Sequence, residues 1–136
     1  MKYVRRLAPL AILYVALILA PSSAFSKAQK EWNGYLIDRM CMKAVASSVN
    51  PLDFVYHHTK DCVLMPACKK KGFTLYLAKE KKWLHLNKKG NELAEKVIVK
   101  SKRNSAFYVS VKGILTKNGV LEVDAIQEIE AKEHQK

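Results

Sequence analysis

Two pairs of alternating segments flank one amphipathic stretch, and that order restricts the fold more than any other feature of the chain. Phe73, Leu75 and Leu77 alternate with Thr74, Tyr76 and Ala78; Lys79 to Lys81 makes a charged turn; Trp83 and His85 then alternate with Leu84 and Leu86. A period of two broken by a short polar turn is the pattern of a hairpin. Phe107, Val109 and Val111 alternate with Tyr108, Ser110 and Lys112, and Asn118-Gly119 is a tight-turn signal leading into Leu121 and Val123. That second hairpin slips in phase between Val123 and Ile126, as a bulged strand does. Between the hairpins, Asn87 to Gly90 reads as a turn and Asn91 as the cap of a helix from Glu92 to about Ser101, with Leu93, Ala94, Val97 and Ile98 forming one apolar stripe. Lys100, Lys102 and Arg103 stand at its negative end, where cations are favoured.

Upstream, the residues from Trp32 to Asp38 alternate as a further strand, and Gly34 inside it points to a bend or a close backbone approach. The order is therefore strand, excursion, strand, strand, helix, strand, strand, followed by a polar end, Glu128 to Lys136, expected to fray. The fold class is mainly β (α+β). The expected architecture is a small five-stranded OB-like barrel with one helix between strands 3 and 4 and a Cys/His-bearing helical insertion after strand 1. An open antiparallel sheet with one helix on a face shares this element order, so both architectures stay open.

Met1 to Arg6 carries Lys2, Arg5 and Arg6 without an acid, the 14 residues from Leu7 to Ala20 carry no charge, and Pro21, Ser22 and Ser23 break the run. This layout predicts a signal peptide over residues 1–26, with a cut after Ser26 or, as the near alternative, after Ala24. The uncharged run is shorter than the roughly 20 residues of a membrane-spanning helix, so membrane association is expected only during export. Residues 27–136 then form a single domain of 110 residues, and loss of three basic residues takes the net charge from +12 to +9. An exported, periplasmic or secreted, cationic protein is kept from genomic nucleic acid. Its expected partners are an anionic envelope component or another protein.

The excursion, residues 38–72, holds the chemistry. It contains Cys41, Cys62 and Cys68, three of the four methionines and the adjacent pair His57 and His58. Met40 to Ser48 suits a short helix. Asn50-Pro51 with Asp53 reads as the start of another, which, if it continues past the histidines, puts His58 and Cys62 on one face. Pro66 is expected to stop it. Cys41, His58, Cys62 and Cys68 supply three thiolates and an imidazole, a donor set used by structural zinc. His57, Met42 and Met65 are additional candidates, and the thioethers would suit monovalent copper. Five residues separate Cys62 from Cys68, wider than zinc knuckles use. The same three cysteines are disulfide candidates, one bridge leaving one thiol over. Lysines 69 to 71 beside Cys68 favour its thiolate and admit thiol-redox chemistry, although the chain lacks a Cys-x-x-Cys pair.

Trp32, Gly34, Asp38 and Cys41, then His58, Thr59 and Cys62, then Cys68, Gly72 and Phe73, and finally Gly90 and Asn91 resemble a group of small exported bacterial proteins of uncharacterised function. The resemblance implies an OB-like domain and a recurring pattern of three cysteines and one histidine, matched here by His58, but no activity. The chain departs from the group in its second histidine, His57, and in the lysine run. A separate candidate is a ligand-binding face of Tyr76, Trp83, Tyr108 and Lys82 on the expected strands, since OB-folds bind oligosaccharides and oligonucleotides on such a surface. The alternative places those aromatics in the core. No complete catalytic constellation is present, so the chain reads as a binding or structural module rather than an enzyme. The three functions left open are a soft-metal (zinc or copper) site, a disulfide-stapled cationic module and a thiol-redox protein.

Overall fold

A computed structural model describes residues 28–131; the expected signal peptide and the fraying end beyond residue 131 lie outside the described residues. Five strands and five helices follow in the order β1 (Lys30–Asp38), α1 (Met42–Ser47), α2 (Pro51–His57), α3 (Lys60–Val63), α4 (Pro66–Lys71), β2 (Phe73–Leu77), β3 (Lys82–Leu86), α5 (Lys88–Lys100), β4 (Tyr108–Leu115) and β5 (Val120–Glu128). None of the described helices is long and apolar enough to cross a membrane.

The strands form one sheet whose hydrogen bonds run in a ring. β1 pairs antiparallel with β2, β2 with β3, and β5 with β4; β3 and β5 run parallel through His85–Val120 and Leu86–Leu121; β4 returns to β1. The ring can close because β1 is long enough to serve two partners, its first half paired with β4 and its second with β2. It changes partner around Gly34, where a Cβ would sit 2.5 Å from the Tyr76 carbonyl oxygen, so the close approach read from the sequence is real. The phase slip in β5 is a bulge: Val123 pairs with Gly113 and Ala125 with Lys112, leaving Asp124 as the extra residue.

Alternation along the strands sorts the apolar residues into two layers. Leu36, Leu75, Leu84, Leu86, Val109, Val111, Leu121 and Val123 fill one cluster, which the α5 stripe joins through Ala94 and Ile98. The second cluster lies behind β1 and β2, where Tyr35, Ile37 and Tyr76 are covered by Val45 of α1 and Val55 of α2. Both valines are essentially inaccessible to water, and each such burial stabilises by roughly 1.5–3 kcal/mol. The excursion is thus a packed cover over one face of the sheet.

Two boundaries differ from the sequence reading. Helix α5 starts at Lys88, not Glu92, because Asn87 is the cap: its side-chain oxygen accepts from the Gly90 backbone N–H at 2.8 Å and from that of Val123 at 3.3 Å. Gly90 is inside the first turn because α5 presses on β5 there, and a Cβ would stand 2.6 Å from a Val123 methyl. Asn91 instead ties the helix to the sheet, accepting from the Phe73 N–H at 2.7 Å. The other difference is Pro66, which opens α4 instead of ending a helix. Proline suits a first turn, where its missing N–H leaves no intrahelical bond unmade.

Candidate metal centre

Asp38 is the last residue of β1 and is completely buried. Pairing with Phe73 fixes its backbone, and the next residue continues the ladder, the Arg39 N–H donating to the Gly72 carbonyl at 2.9 Å. Gly72 adopts a φ of +87°, which lets the chain leave α4 and enter β2 directly. The exit of β1 and the entry to β2 therefore lie side by side, and the excursion begins and ends at one place.

Three stretches of the excursion converge on the Asp38 carboxylate. The Cys41 backbone N–H donates to Oδ1 at 3.0 Å, turning the chain sharply after the strand. Helix α2, capped by Asn50 as expected, ends at His57. His58 leaves the helix in an extended conformation that carries its ring inward against Phe54, with Nε2 2.6 Å from Asp38 Oδ2. Cys68 is buried on α4, the helix whose end at Gly72 adjoins the same strand exit. Ligand atoms of Asp38, Cys41 and His58 all lie within 4.8 Å of one another, close enough to hold a metal ion.

Burial alone would raise the Asp38 pKa, but the hydrogen bonds from His58 and the Cys41 backbone, with the smaller one from Cys68, hold it below the ordinary carboxylate range. The carboxylate is therefore an acceptor, and His58 Nε2 carries the proton between them. Burial pushes the Cys41 thiol up to about 11, and the negative charge of Asp38 adds to the shift. Cys68 is raised by the same causes in the same order. Both thiols are thereby held in the protonated form.

Of the four ligands read from the sequence, Cys41 and His58 gather with Asp38, Cys68 is buried on α4, and Cys62 is exposed and accepts from the Thr59 hydroxyl at 3.4 Å. His58 and Cys62 do not share a helical face, because the chain breaks at His58 and Thr59 before α3 begins. All three cysteines are free thiols in this structure. His57 points outward and bonds the Asp53 carbonyl at 2.8 Å. Met65 is exposed and Met42 half-buried. Asp38 is the residue that donor counting missed. The available signal was an acid at the inner end of an apolar strand, three residues before a cysteine, where a buried charge requires partners.

The aromatic face is arranged differently from a stacking platform. Tyr76 is only 4% exposed and stacks on Trp83 at 4.4 Å; Tyr108 packs on Tyr35 at 4.8 Å; Lys82 is exposed beside them. Tyr108 also borders a cleft of about 360 Å³ with Trp32, whose charged rim is Glu31, Glu80, Glu130 and Lys79.

No protein-family model, no curated protein and no solved structure matches the chain.

Proposed function

We propose that this chain is an exported, single-domain zinc-binding protein of OB-like architecture whose metal is held by Asp38, Cys41 and His58, with Cys68 as the fourth ligand. The observation that carries the reading is the convergence of three ligand atoms, from the exit of β1 and the end of α2, within 4.8 Å. Oxygen, nitrogen and sulfur donors from those residue types are the ordinary ligands of zinc, and a half-buried, four-donor site fits a structural ion. The carboxylate moves the balance away from monovalent copper, which favours thiolate and thioether sulfur, and the exposed Met65 adds no donor from the interior. A tetrahedral zinc site spaces its donors by about 3.3–3.8 Å. The 2.6 Å contact of His58 with Asp38 is thus the proton-bearing form of the site, and metal takes the place of that proton and the two thiol protons.

The ring order β1-β2-β3-β5-β4, with β3 and β5 parallel and α5 between β3 and β4, supports the barrel over the open sheet, since both ends of the row find a partner. Uptake of zinc would tie the excursion to the junction of β1 and β2 and so to the whole ring.

Zinc titration of reduced, purified protein, followed by metal analysis after gel filtration, tests the reading. One tightly held zinc per chain is expected, with proton release on binding, and with binding abolished in His58→Ala and Cys41→Ser but retained in Cys62→Ser. Zinc held equally well by His58→Ala, or bound only by Cys62-containing variants, would sink it.

A further inference from the structure

Cys41 and Cys68 stand on either side of the place where β1 ends and β2 begins. Cys41 lies three residues beyond Asp38, Cys68 lies four residues before Gly72, and the two strand ends are joined by Asp38–Phe73 pairing and by the Arg39–Gly72 hydrogen bond. The Cys41 sulfur lies within 4.8 Å of the Asp38 and His58 ligand atoms, and Cys68 is buried on the helix that leads back to the same junction. Cys62 is exposed on α3, before the turn that leads into α4.

We propose that Cys41 and Cys68 are also a disulfide-forming pair, so that the centre has two exclusive forms: reduced and able to hold zinc, or bridged and unable to hold it. This deepens the zinc reading and rests on it. The oxidant is a small-molecule disulfide. Cys41, the more accessible of the two, attacks one of its sulfurs, forming a mixed disulfide and expelling one thiolate. Cys68 then attacks the Cys41 sulfur, closing the bridge and expelling the second thiolate. The two protons given up by the cysteines end on the two released thiols, and two electrons pass from the cysteine pair to the small disulfide. A bridged pair offers no thiolate, and Asp38 and His58 alone are too few to hold zinc.

Zinc-loaded protein is treated with oxidised glutathione while released zinc is followed with a chromogenic chelator, and the products are alkylated and mapped by mass spectrometry. The expected result is one zinc released per Cys41–Cys68 bridge, Cys62 still open to alkylation, the same behaviour in Cys62→Ser, and recovery of zinc binding after dithiothreitol. A bridge that includes Cys62, or zinc that stays bound after Cys41 and Cys68 have joined, overturns this proposal and leaves the zinc site standing. Failure to bind zinc at all, in the reduced protein, overturns both.

Discussion

The ring interior and the excursion are both well buried, but they are held by different forces. Inside the ring the buried cluster is entirely apolar, and β-ladders satisfy the backbone around it. Under the excursion, short helices of four to seven residues are too brief to stand alone, and the cover is tied down through one buried carboxylate that accepts from an imidazole and a backbone N–H. Apolar burial is non-directional and spreads its stabilisation over many contacts. A carboxylate hub concentrates it on one side chain and needs each donor in place. The first region should therefore fail globally and the second locally.

The largest effect is expected from Leu75→Ala. Leu75 is fully buried in the ring, and its truncation should cost about 3–5 kcal/mol, seen as a lower denaturant midpoint with all probes moving together. Zinc affinity of the folded fraction should not change. If the excursion lost its structure at lower denaturant than the ring in this variant, the two regions would not share one cooperative unit.

Asp38→Asn should come next. The amide keeps the size of the side chain but loses the charge and half of the acceptor capacity, so the donors of His58 and the Cys41 backbone are left underused, at about 2–3 kcal/mol. Amide exchange should rise across residues 39–71 and stay unchanged in the β4–β5 hairpin. Equal acceleration in both would show that the hub supports the ring as much as the excursion and would dissolve the distinction.

The same contrast explains what could be read in advance. The five strands, the α5 stripe, the bulge before Ile126 and the Asn50-Pro51 helix start are local patterns of period, cap and turn, and residues such as Leu75, Ile98 and Pro51 announce them within a few positions. The beginning of α5 was hidden because Gly90 resembles a turn residue until the closeness of Val123 is known, and because Asn87 and Asn91 are equally good caps on paper. The site was half legible. Its cysteines and His58 are conspicuous, but that His58 leaves its helix and that Cys62 stays outside depend on where Asp38 lies, 20 residues away from His58 in sequence. Burial of an acid is a tertiary fact.

The two asparagine caps carry the comparison to a finer scale. Asn87 accepts from two backbone groups, one on α5 and one on β5, and Asn87→Ala should cost about 1–2 kcal/mol; Asn50 is exposed, accepts at 3.4 Å, and Asn50→Ala should cost about 0.5 kcal/mol. Thermal midpoints of the two variants check this. A larger loss at Asn50 would mean that the excursion nucleates on α2 and is less dependent on Asp38.

The smallest effect concerns His85, on β3 within the ring. Among the described residues its Nδ1 is the one buried side-chain polar atom without a hydrogen-bond partner. Burial, and then the charge of Arg39, hold its pKa below the ordinary 6.5. The folded protein therefore resists a proton that the unfolded chain accepts. As pH falls through 6.5 the unfolded state takes up that proton first, and stability declines until the lower folded value is reached; above 6.5 there is no penalty. His85→Gln cannot titrate, so the difference in denaturant midpoint between pH 7.5 and pH 5.5 should be smaller in the variant than in the parent chain, by less than either cap contributes. An unchanged pH response would mean that His85 accepts its proton as readily in the folded sheet as in the unfolded chain, so that its face of β3, opposite Leu84 and Leu86, tolerates a charge that the ring interior does not.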